Sequence, residues 1–88
     1  PRPSVDDLIS FMESITNMRM PTWVRQILEN YLDKVTLRKV EQAAKYITTA
    51  MKRGRSEEAI RAKVEKIMRT HAELVAGSAG GQEALRRF

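Results

Sequence analysis

Apolar residues recur at helical spacing in four successive stretches of this 88-residue chain, and that recurrence constrains its fold more than any other feature. Val5, Leu8, Phe11, Met12 and Ile15 form the first series, and Val24, Ile27, Leu28, Tyr31, Leu32 and Val35 the second. Leu37, Val40, Ala44, Ile47 and Met51 form the third, and Ile60, Val64, Ile67, Met68, His71, Leu74 and Val75 the fourth. No stretch alternates with period two, so no strand is expected.

Local chemistry places the ends of these helices. Ser4 is a candidate N-cap with Asp6 and Asp7 in the first turn, where the helix dipole favours negative charge. Residues 16–21 read as a connection, and Pro21 disfavours helical geometry at Met20. No Gly or Pro separates the second series from the third, but their phases differ. Continuing Val24, Leu28, Tyr31 and Val35 lands on Arg38 or Lys39 rather than on Leu37 and Val40. One straight helix cannot bury both halves on one partner, so a turn is predicted at 34–36 with Thr36 capping the restart. Lys52 and Arg53 suit a helix C-terminus, Gly54 the left-handed position after it, and Ser56 with Glu57 and Glu58 the start of the next helix.

The expected fold is therefore all-α: a small four-helix bundle with helices at about 5–17, 22–34, 36–53 and 57–76. Residues 1–77 form the bundle domain. Ser78-Ala79-Gly80-Gly81 reads as a flexible linker, and 78–88 as a flexible extension leading to the rest of a larger protein, because the chain opens Pro1-Arg2-Pro3 without Met. A chain of this size makes one domain with a small core. With no cysteine, the fold stands on packing alone, which suits a reducing intracellular setting such as cytoplasm or nucleus. No apolar run approaches the length that spans a bilayer.

No residue cluster calls for catalysis, a metal or a cofactor, and the chain is read as non-enzymatic. His71 is the only histidine and falls on the apolar face of the fourth helix, so it reads as a half-buried core side chain with a local hydrogen-bond partner. The acid pairs Asp6–Asp7 and Glu57–Glu58 sit in first helical turns, where the dipole explains them. No glycine-rich phosphate loop occurs.

Charge supplies the lead on partners. The net charge is +5, and its layout is uneven. The third helix carries Arg38, Lys39, Lys45, Lys52 and Arg53 against Glu41, whereas the first carries Asp6, Asp7 and Glu13 with no base. At 100° per residue Arg38, Gln42, Lys45, Thr49 and Lys52 line the outer side of the third helix. No acid is expected to offset the cations there. In the fourth helix, by contrast, Glu57–Arg61, Glu65–Arg69 and Arg69–Glu73 are spaced for mutual pairing.

Arg38, Lys45, Lys52, Arg53 and Arg55 are thus the candidate polyanion-binding residues, and Met18, Met20 and Trp23 a candidate protein-docking segment. The default reading of Trp23 is the cap of a small core, with the exposed anchor as the alternative. A helix-turn-helix centred on Gly54 fits poorly: Arg55 stands where an apolar residue is usual, and Glu57 and Glu58 would face DNA phosphates. The first expectation is an interaction or assembly domain working through the basic face at about 37–55, with another protein or an acidic surface as partner. A nucleic-acid module making sequence-independent phosphate contacts is the second expectation. A homo-oligomer pairing the acidic first helix of one copy with the basic third helix of another is the third.

Overall fold

A computed structural model describes residues 2–86, and among them every regular element is a helix. The order is α1 (Val5–Thr16), α2 (Trp23–Tyr31), α3 (Leu37–Lys52), α4 (Glu57–Ala76) and α5 (Ala79–Arg86). Helices α1 and α4 each pack on both α2 and α3, and α5 packs on α4.

The helix starts follow their capping chemistry. Ser4 Oγ accepts the Asp7 N–H at 3.1 Å while Asp7 returns a bond to the Ser4 N–H at 3.0 Å, a reciprocal capping box. Thr36 and Ser56 hydroxyls accept the N–H groups of Lys39 and Ala59 at 3.3 and 3.1 Å. Gly54, at φ +74°, takes the left-handed position after α3, and Asn17 at φ 54° does the same after α1.

The phase jump between the second and third apolar series marks a real break, over residues 32–36. Val35 sits inside that break rather than on a helix and is fully buried. It anchors the turn to the core and so holds α2 and α3 in their different orientations.

The core is Leu8 and Met12 from α1, Val24, Ile27 and Leu28 from α2, Val40, Ala43, Ala44, Ile47 and Ala50 from α3, and Ile60, Val64 and Met68 from α4, with Val35. Four members of the apolar series, Ile15, Leu37, Met51 and Leu74, prove to be exposed rather than inward. Leu37 and Met51 are 45% and 39% exposed, and α3 instead turns Ala43, Thr48 and Ala50 inward. Small side chains are what let α3 approach both α1 and α4. The Thr48 hydroxyl, the one buried polar side chain among the described residues, donates to the Lys45 carbonyl at 3.1 Å. On α4 the core stripe runs Ile60, Val64, Met68, Ala72 and Val75, which leaves Leu74 69% exposed and Ile67 and His71 half-buried beside α3.

The segment read as a flexible linker and tail is also different: residues 79–86 are helical. Ser78 Oγ accepts the Gly81 N–H at 2.9 Å and starts the helix. Gly81 then lies so close to α4 that a Cβ there would stand 2.7 Å from Val75 Cα. The glycine serves close packing, not slack. Arg2 completes the junction by donating to the carbonyls of Leu85, Leu32 and Val35 at 2.8, 2.9 and 3.2 Å. Arg87 and Phe88, part of the predicted extension, lie outside the described residues.

Candidate functional site

The connection between α1 and α2 is folded back rather than extended. Glu13 Oε2 accepts the Met20 N–H at 2.8 Å, and the Pro21 carbonyl accepts the Val24 N–H at 3.1 Å. These bonds carry Met20 and Trp23 onto the start of α4, where the Trp23 indole N–H donates to Glu57 Oε1 at 3.0 Å. Arg61 donates to Gln26 at 3.2 Å. Glu57 and Arg61, expected to pair within α4, therefore each turn to α2 instead. Glu65 and Arg69 do pair, at 2.6 Å, and Glu65 also accepts the Tyr31 hydroxyl, which raises the phenol pKa above its ordinary value.

Between the α1–α2 connection and the α3–α4 turn lies a cleft of about 390 Å³. Met20, Pro21, Trp23, Met51 and Ile60 give it apolar walls, and Arg19, Arg55 and Glu57 give it charge. Two separately predicted surfaces meet here, since Met20 and Trp23 came from one and Arg55 from the other. Met18 is half-buried and does not line the cleft. Lys52 and Arg53 are exposed in the adjoining end of α3. Arg38 and Lys45 are on a separate surface, a crevice of α3 shared with Glu41 and Gln42.

Exposure on the outer side of α3 follows the sequence reading: Arg38, Gln42, Lys45, Thr49 and Lys52 all face solvent. Its charge balance does not. Lys45 Nζ lies 2.8 Å from Glu41 Oε2, one turn away, so one of the three cations there is matched by an acid. The hydrogen bond and charge of Lys45, with a smaller contribution from Arg38, hold the Glu41 carboxyl below its usual pKa. Arg38, Lys52, Arg53 and Arg55 form no ion pair among the described residues.

The acids of α1 are engaged elsewhere. Asp6 pairs with Arg25 of α2 at 2.6 Å, which raises the Arg25 pKa, while Asp7 and Glu13 accept backbone N–H groups. The packing of α1 on α3 thus leaves the α3 cations without carboxylate partners from α1.

Arg19, Pro21, Met51, Glu57 and Ile60 were not singled out from sequence as site residues. Arg19 and Pro21 lie within the Met18–Trp23 segment and could have been included with it. Met51 was hidden by its fit to a helical apolar series. The pairing of Glu57 with Trp23 joins residues 34 apart and has no local signature.

Among the described residues no group of three His, Cys, Asp or Glu side chains could hold a metal ion, and no helix is long and apolar enough to cross a membrane. No known protein family, curated protein or solved structure matches this chain.

Proposed function

We propose that the chain is a non-enzymatic interaction domain, a four-helix bundle braced by a fifth helix, that docks an acidic segment of another protein. An apolar side chain of that segment enters the cleft between Met20, Trp23 and Met51, and its carboxylates meet Arg19 and Arg55. The observation that carries this reading is the convergence of exposed Met51 and half-buried Trp23 with two guanidinium groups in one cleft. An aromatic floor, adaptable thioethers and arginines are the side chains that dominate protein-binding hot spots. Charge complementarity selects the acidic partner: the one carboxylate lining the cleft among the described residues, Glu57, already takes the Trp23 N–H, while Lys52 and Arg53 add positive charge nearby.

Selection of a displayed random-peptide library on the protein tests this. Enriched peptides should place Leu, Phe or Trp beside Asp or Glu. Their affinity should fall about tenfold or more in Met51→Glu and in Arg55→Glu, both exposed positions. Absence of any enriched motif, or binding unchanged in both variants, would overturn the reading.

The nucleic-acid reading keeps specific support. Arg38 and Lys52 share one face of α3 about 21 Å apart along its axis, and neither is ion-paired among the described residues. Affinity of that origin falls steeply with salt through counterion release, so titration of a generic duplex at two salt concentrations checks it. Self-association of α1 with α3 has less support, because Asp6, Asp7 and Glu13 already have partners within the chain.

A further inference from the structure

The side of α4 turned toward α3 differs from the rest of that helix. Lys63 and Lys66 have no acid three or four residues away in either direction, whereas Glu65 and Arg69 on another side are paired. Lys39 and Gln42 of α3 border the same crevice, of about 220 Å³, with Thr70 and His71 of α4. Among the described residues no carboxylate lines it. Lys39 Nζ donates to Gln42 Oε1 at 2.8 Å, which fixes one ammonium at its edge.

His71 does not have the local partner expected from its sequence position. Its Nε2 is buried and makes no hydrogen bond with any described residue, a costly state for a ring nitrogen. Burial, and secondarily the charge of Lys39, hold its pKa below the ordinary value. Among the described residues the other titratable groups bordering the ring's crevice are Lys39 from α3 and Lys63 and Lys66 from α4, all of them positive. Gln42 also borders the crevice of Arg38 and Lys45, so the two positive surfaces adjoin.

We propose that this α3–α4 crevice binds a phosphate-type oxyanion, with Lys39, Lys63 and Lys66 supplying charge, Thr70 a hydroxyl to hydrogen-bond, and His71 bordering the site as a titratable neighbour. Three lysines lining one small crevice suit a phosphate group, with its negative charge and several acceptor oxygens on one centre, better than a carboxylate with two. The site shares no residue with the Trp23 cleft, so it stands or falls independently of the docking reading.

The test is NMR titration of the whole chain at constant ionic strength, following the signals of Lys63, Lys66 and His71. One arm uses sodium pyrophosphate and the other a single-stranded oligonucleotide, which separates a free oxyanion from a phosphodiester backbone. Saturable shifts at these residues in either arm are expected. Lys63→Gln with Lys66→Gln, at exposed positions, should weaken that binding about tenfold or more, while Arg53→Gln with Arg55→Gln should leave the pyrophosphate response unchanged. The His71 protonation midpoint should rise in the presence of the bound anion, because imidazolium and oxyanion then attract. A response no different from that to sodium chloride, equal binding by the Lys63/Lys66 variant, or an unmoved His71 midpoint would overturn the proposal.

Discussion

Where α1 and α3 begin and α2 and α4 finish, the molecule is closed: Arg2 spans carbonyls of Leu32, Val35 and Leu85, and α5 covers the end of α4 through Gly81. Where α1 and α3 finish and α2 and α4 begin, it is open. Arg19 and Arg55 line a cleft, and Lys52 and Arg53 stand in solvent beside it without ion pairs among the described residues. Arginine occurs at both ends and does different work. At the closed end its donors satisfy chain carbonyls left over where α2 stops, as helix termini require. At the open end Arg19 and Arg55 form no ion pair among the described residues, and the Glu57 carboxylate beside them accepts the Trp23 N–H, which is the chemistry of a surface available to a partner.

Three perturbations bear on this contrast. The largest effect is expected from Gly81→Ala. Its methyl would collide with the α4 backbone at Val75, so α5 must shift, at a cost of about 1–3 kcal/mol. Amide exchange should quicken across 79–86 while residues of the cleft stay as protected as before. Exchange that rises equally at both ends would erase the distinction between them. Arg2→Ala comes next, with a loss of about 1 kcal/mol in urea denaturation, since its bonds are partly solvent-exposed. It should loosen α5 and the 32–36 turn together, and unchanged exchange in either would show that Arg2 does not join them.

The smallest effect belongs to His71, between the two ends. Its folded-state pKa is lowered, so the unfolded chain binds more protons below the imidazole's ordinary pKa of about 6.5. Stability from this group is complete above that pH and is lost as pH falls below it. Melting temperatures at pH 7.5 and 5.5 should show a smaller decrease in His71→Asn than in the parent chain. That window stays above the titration of Glu41, whose lowered pKa withdraws stability only in more acidic solution.

What was legible in the sequence is what short-range chemistry encodes. Ser4, Thr36 and Ser56 cap helices because their hydroxyls reach N–H groups three residues on. The break before α3 follows from a phase that only nearby residues set. What escaped depends on distance in space. Gly80-Gly81 has the composition of a linker, and only the approach of Val75 shows why a side chain is excluded at Gly81. Ala43 and Ala50 carry little apolar signal, yet they face inward, and their inward turn is what swings Met51 out to the cleft. The charge asymmetry between α1 and α3 was visible, but not that Asp6 would be taken by Arg25 and Lys45 by Glu41. Of the eight side chains around the cleft, Met20, Trp23 and Arg55 were legible.

The bond from Arg2 to the Leu85 carbonyl brings the first and last described turns of the chain side by side. Any tag, surface tether or neighbouring domain fused before residue 2 or after residue 86 would leave from the closed side. The cleft beside Trp23 lies at the other end of α1–α4 from the attachment, whichever terminus carries it. An immobilised or fused copy would present that cleft to solution, and the same sequence could be spliced into an exposed loop of a host protein without spreading the host's two strands far apart.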